Sequence, residues 1–226
     1  MFLTRDNKIL WRRMGLGAFV TAMLVVSGIA WWDKPVFLFV RHFNCRLWEL
    51  FADVFDGKVW IIASLIAVVM FCLKKYVDVG IKFKNDSGKF SILTMVQDCW
   101  NKTRGSYAVL IFTSVLSAGI IVKILKILIG RARPVFFEAL EWTAFVPFSV
   151  NWEFNSMPSG HTAISFAGLV MIGMLAPRYK ALTWTMAILI GFSRVAIGAH
   201  WPTDVILGAF IGMVVADIVK GILLKK

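Results

Sequence analysis

Apolar stretches long enough to cross a bilayer recur along nearly the whole of this chain, parted only by short polar joints. A hydrocarbon core takes about 20 mostly apolar residues to span as a helix. Six segments approach that length: 14–32, 59–73, 107–130, 162–176, 181–198 and 204–224. The 226 residues are 59% hydrophobic, too apolar for a soluble domain whose surface must be covered by polar groups. The expected fold is therefore all-α, a polytopic membrane helical bundle with six transmembrane helices, built as one domain over 1–226 without linker or internal repeat. Segments 59–73 and 162–176 are short, and need flanking residues or a locally thin bilayer. Residues 34–51 place Val36, Val40, Phe43, Leu47 and Leu50 at three- and four-residue spacing, with Arg41, Asn44 and Arg46 on other faces. That spacing predicts an interfacial amphipathic helix at the outer surface, which either caps the bundle or admits lipid.

Orientation follows from the distribution of Lys and Arg among the short loops. Sixteen cations fall on one side: Arg5, Lys8, Arg12 and Arg13 before the first segment, seven between Lys74 and Arg104, Arg178 and Lys180, and Lys220, Lys225 and Lys226 at the end. The other side holds Lys34, Arg41, Arg46 and Lys58, plus five cations in or beside the motifs described below. Both termini and the 74–106 joint are thus expected in the cytoplasm. The net charge of +12 reads as a topology signal and an attraction to anionic headgroups, with no nucleic-acid partner expected. A basic start followed by Gly28-Ile29-Ala30 loosely imitates a cleavable signal, but its 19-residue apolar run exceeds the usual core of roughly 7–15 residues. Cys45, Cys72 and Cys99 fall in different compartments under this topology and show no metal-ligand spacing, so neither a disulfide framework nor a metal is expected.

Ionisable residues inside membrane segments usually face a cavity or a partner, because burying a charge costs several kcal/mol. Here they gather in three places: Lys126 to Pro134 at the outer end of the third segment, Pro158-Ser159-Gly160-His161 before the fourth, and Ser193 to Asp204 from the fifth into the sixth. All three fall on the extracytoplasmic side in the charge-derived topology. Lys126 and Arg133, two helical turns apart, would form a cationic wall on one face if the helix continues to Pro134. Arg133 offers a planar fork of donors for phosphate oxygens and Lys126 a compact charge. Ser159 and Gly160 open the fourth helix, where free backbone N–H groups favour an anion. Arg194 adds a third cation to stabilise a transferring phosphoryl group. His200 and Asp204, four apart, suit an arrangement in which the carboxylate orients one ring nitrogen and the other attacks phosphorus. His161 is placed to protonate the departing oxygen.

The order K-x6-R-P (Lys126, Arg133, Pro134), P-S-G-H (Pro158 to His161) and S-R-x5-H-x3-D (Ser193, Arg194, His200, Asp204) resembles the signature of the type 2 phosphatidic acid phosphatase superfamily. These membrane lipid phosphatases share their site with vanadium haloperoxidases and bacterial acid phosphatases. Every defining position is present, and 126–204 covers about a third of the chain. The resemblance implies a cofactor-free, metal-independent mechanism through a phosphohistidine at His200. Asp204 would orient it, His161 would serve as acid, and Lys126, Arg133, Ser159, Gly160 and Arg194 would hold phosphate. The expected partner is a phosphorylated lipid in the bilayer: undecaprenyl diphosphate, phosphatidylglycerol phosphate, phosphatidic acid or a phosphate of lipid A. Attack by another lipid's hydroxyl would make the same site a phosphotransferase, and a non-catalytic lipid-binding or transport protein is the reading from a different class. Small size and basic inner loops fit a bacterial inner membrane, with the site facing the periplasm or exterior.

Among the remaining polar residues, His42 is expected to be structural, Lys123 to snorkel or pair, Arg131 to meet headgroups, and Trp201 to join the interfacial aromatic belt or pack on substrate. Cysteine-accessibility labelling of single-cysteine variants should place 84–102 inside and 138–152 outside. Labelling of both from one side would undo the charge-derived topology.

Overall fold

The computed structural model describes the chain apart from residues 5, 86–102, 104, 225 and 226. Its helices are α1 (Trp11–Ser27), α2 (Asp33–Arg41), α3 (Arg46–Val54), α4 (Gly57–Asn85), α5 (Tyr107–Ile129), α6 (Pro134–Leu140), α7 (Gly160–Leu175), α8 (Lys180–Ala196) and α9 (Pro202–Leu223). Each of the six apolar segments is helical. Among the described residues, four stretches are long and apolar enough to cross a membrane: Trp11–Arg41, Arg46–Lys75, Tyr107–Ile129 and Pro202–Leu223. The second segment takes flanking residues into its helix, since α4 begins at Gly57 and continues to Asn85. The 84–102 stretch lies almost wholly outside the described residues.

The single helix expected over 34–51 is two helices. A π-helical turn at Gly28–Trp32 carries α1 directly into α2, and tight turns then end α2: Phe43 N–H donates to Val40 O and Asn44 N–H to Arg41 O. Cys45 is extended (φ −152°, ψ 163°) and starts α3 in a new direction. His42 donates from Nδ1 to the Leu38 carbonyl at 2.6 Å, a structural bond. Cys45 and Cys72 are free and exposed, and Cys99 lies outside the described residues.

At the centre stands α7, packed against α4, α5, α8 and α9. Residues from Thr162 to Met171 are all buried. Its 16 residues span only about 24 Å, which is tolerable because protein, not lipid, covers most of its surface. Close contact with α9 depends on Gly208 and Gly212: a Cβ at Gly208 would lie 2.6 Å from Ser159 O, and one at Gly212 would overlap Ala163 O. Small residues four apart let two helix backbones approach in this way. By contrast, α1 and α4 expose Leu16, Phe19, Met23, Ile62, Leu65 and Val69, apolar surface of the extent that marks contact with lipid.

Candidate active site

The C-terminal end of α5, the residues after it, the start of α7, the end of α8 and the 197–201 turn into α9 meet at one end of the bundle. They enclose a cavity of about 770 Å³ lined by Lys126, Arg133, Gly160, His161, Arg194 and His200, with Asp56, Lys58, Lys123, Trp152 and Asn155 also on its wall. All three sequence motifs thus reach one space, of a size suited to a small-molecule group.

The cationic wall is built differently from the expected helical face. Gly130 ends α5 in the left-handed conformation (φ 62°), where a Cβ would collide with Val146 O, so Arg133 lies beyond the helix. The two cations converge nevertheless, because Lys126 Nζ and Arg133 both donate to the Asn155 carbonyl. Arg133 also donates to Trp152 O and Ala199 O, each at 3.1 Å, and its guanidinium sits 4.2 Å from the Trp152 ring centre. Burial, followed by the charge of Arg194, brings the Arg133 pKa down to about 10, leaving it charged at neutral pH. Among the described residues, Arg194 Nε has no hydrogen-bond partner, so this cavity-lining cation keeps a donor for an anion.

His200 is 2% exposed, with Nδ1 3.6 Å from Asp204 Oδ2. That is the expected pairing at a separation too long for a hydrogen bond. Burial pushes the His200 pKa well below its ordinary value, reinforced by Lys126 and Arg133 and opposed by Asp204. A neutral imidazole with a free lone pair is the nucleophilic form. Asp204 meanwhile caps α9 by accepting from Trp201 N–H at 3.0 Å and accepts from the Ser156 hydroxyl.

Its other oxygen accepts from Arg131 NH1 at 2.7 Å. Arg131, expected among headgroups, is buried instead: NH2 donates to Asp33 Oδ2 at 2.6 Å and NH1 to Thr203 Oγ1 at 2.7 Å. Asp33 in turn accepts from the backbone N–H and hydroxyl of Thr203. The early end of α5 turns this side chain inward. Trp201 belongs neither to a belt nor to a substrate surface. It is 1% exposed, packs on Phe37 and Phe137 with ring centres 5.1 and 5.6 Å away, and donates from Nε1 to Ala132 O.

Gly160 reaches the cavity, but Ser159 does not line it. The Ser159 side chain is fully buried, accepts from the Thr162 hydroxyl at 2.9 Å, and its backbone N–H is committed to Asp204 O. His161 lines the cavity with Nε2 2.8 Å from Asp56 Oδ2. Asp33, Asp56, Arg131 and Ser156 therefore belong to the site's surroundings without being picked out by the motifs. The one available signal was the cost of placing Asp33 and Asp56 beside apolar segments. Among the described residues, no group of three or more His, Cys, Asp and Glu converges as metal ligands; the cavity-lining groups whose chemistry suits an anion are Lys126, Arg133, Arg194 and the start of α7.

The PAP2 superfamily profile matches residues 107–226, a range containing all three motifs. A lipid A 1-phosphatase of Rhizobium johnstonii is 31% identical over 219 residues, covering 89% of this chain and 81% of that protein. The chain belongs to the PAP2 superfamily. It is a hydrolytic membrane lipid phosphatase. Two solved structures share its fold. One is LpxE of Aquifex aeolicus, at 20% identity and a TM-score of 0.52 over 83% of this chain and 93% of that one. The other is a PAP2-type phosphatidylglycerolphosphate phosphatase of Bacillus subtilis, at 19% identity and a TM-score of 0.55 over 92% and 94%.

Removing Arg131 would leave two buried carboxylates without their shared cation, the situation in which a buried ion pair is most costly to break. Arg131→Ala should lose about 3–5 kcal/mol of stability, seen as a lowered unfolding midpoint of the detergent-solubilised protein. An unchanged midpoint would show that the network does not support the fold.

Proposed function

We propose that this single membrane-embedded domain, residues 1–226, removes the phosphate attached to the sugar of a lipid A-type substrate, through a phosphohistidine at His200. The observation that carries the chemistry is the convergence of Lys126, Arg133, Arg194, His161 and His200 on one cavity. The choice of lipid is supported by the lipid A 1-phosphatase that aligns over 89% of this chain.

In this reading Lys126, Arg133 and Arg194 neutralise the phosphate oxygens, and Gly160 lets the backbone at the start of α7 come close. The unprotonated Nε2 of His200 forms a bond to phosphorus as the bond to the lipid oxygen breaks, and His161 gives that oxygen a proton. Asp204 stabilises the positive charge that develops on His200, its oxygen already 3.6 Å from Nδ1. Water then attacks phosphorus, His161 takes its proton, and His200 leaves. Charge stabilisation by three cations and a helix start performs the work of a metal in this scheme. Ser159 acts from behind the cavity by its bond to Asp204 O, holding α7 to the start of α9. The domain lies in a bacterial inner membrane with six spans, both termini cytoplasmic, and the cavity open to the periplasm or exterior.

Phosphate release by purified protein should be fastest with lipid A among lipid A, undecaprenyl diphosphate, phosphatidylglycerol phosphate and phosphatidic acid, with mass spectrometry locating the lost phosphate. Activity should survive EDTA and fall with vanadate, and His200→Ala should abolish both turnover and the acid-labile phosphoenzyme trapped with labelled substrate. Preference for another lipid would reassign the substrate. Magnesium- or zinc-dependent recovery from EDTA, or wild-type labelling of the His200→Ala protein, would reject the mechanism.

A further inference from the structure

Asp56 lies in the joint between α3 and α4, outside the 107–226 range matched by the family profile. One of its oxygens serves the helix that follows, since Oδ1 accepts the Lys58 backbone N–H at 2.6 Å and so caps the start of α4. The other oxygen is not needed for that cap. Oδ2 sits 2.8 Å from His161 Nε2, across 105 residues of sequence, on the wall of the same cavity. A carboxylate only accepts, so Nε2 carries the hydrogen and the bond fixes the ring's tautomer. Nδ1 of His161 has no hydrogen-bond partner among the described residues.

We propose that Asp56 is a positioning residue for His161, making it a directed acid and base that works through Nδ1. The inference rests on the role given to His161 above. In the first half-reaction the doubly protonated His161 keeps its Nε2–H on Asp56 and passes the Nδ1 proton to the departing lipid oxygen as the phosphorus–oxygen bond breaks. His161 is then neutral with a lone pair on Nδ1. In the second half-reaction that lone pair accepts a proton from the attacking water, as the new phosphorus–oxygen bond forms and the phosphorus–nitrogen bond to His200 breaks. Burial first, then the charges of Arg194 and Lys126 on the same wall, lowers the His161 pKa, and Asp56 is the group that opposes them in favour of the imidazolium. Two oriented histidines result: His200 faces Asp204 through Nδ1 and uses Nε2, while His161 is held through Nε2 and uses Nδ1.

Asn and Ser both cap helices about as well as Asp, so Asp56→Asn and Asp56→Ser keep the α4 cap while removing the carboxylate. Each should lower kcat for the lipid substrate by about 10- to 100-fold, part of the usual contribution of a positioned acid, with KM nearly unchanged. With p-nitrophenyl phosphate, whose leaving oxygen departs without a proton, the loss in the rate of phosphoenzyme formation should be much smaller. Asp56→Glu should restore part of the lipid activity, and Asp56→Asn added to His161→Ala should cost nothing further. Wild-type kcat on lipid in both capped variants, equal losses of phosphoenzyme formation on both substrates, or additive losses in the double variant would overturn the proposal. His161→Ala serves as the control. Equal loss on both substrates there rejects the acid role itself, whereas leaving-group dependence in His161→Ala but not in the Asp56 variants rejects only the role of Asp56.

Discussion

Arg131 lies between two buried carboxylates, Asp33 at 2.6 Å and Asp204 at 2.7 Å, and the elements at the cavity's end of the bundle are tied to it. Asp33 belongs to α2, Arg131 follows α5, and Asp204 opens α9. Thr203, bonded to both Asp33 and Arg131, closes the ring. A charge group this deeply desolvated is tolerable only when its hydrogen bonds are nearly all made, and removal of one partner is penalised more than the pair gains. The network therefore acts as a specification of geometry: α2, α5 and α9 meet in one relative placement or leave charges exposed to an apolar interior. His200 inherits its position from that placement.

The same constraint extends into the site through the hydrogen bonds of Asp204. Asp204 is held by Arg131, Ser156 and the Trp201 backbone, so its oxygen stands near His200 without depending on it. Trp201 fills the space beneath the turn between Phe37 and Phe137. The cations are similarly braced, since Lys126 and Arg133 share the Asn155 carbonyl. Preorganised donors around an anion cost no rearrangement at the moment of reaction, which is the main source of their effect on rate. Beneath the site, the glycine-permitted contact between α7 and α9 brings His161 and His200 to one end of the molecule by packing two backbones closely.

Much of this was legible in the linear chain. The recurrence of apolar segments pointed to an all-helical membrane protein, because backbone polar groups in lipid have no partners but their own helix. Motif spacing and residue chemistry singled out Lys126, Arg133, Gly160, His161, Arg194 and His200 among the candidates, and these six line one cavity. Charge patterns reveal which groups suit phosphate, and sequence order reveals which helix end carries them.

What the sequence could not supply was the direction in which each side chain points. Gly130 ends α5 one residue before Arg131, so a side chain that a continuing helix would have turned toward headgroups is drawn inward instead, and Arg133 reaches the cavity from a loop. Ser159 sits in the right motif yet faces protein. Asp33 and Asp56 carry no motif at all, and acquire meaning only by meeting Arg131 and His161 across about a hundred residues of chain. Local sequence determined helices, their apolar faces and the inventory of reactive groups, through properties that act within a few residues. Tertiary packing alone decided which carboxylate serves which partner, because a hydrogen bond depends on a separation of about 3 Å that no sequence interval encodes.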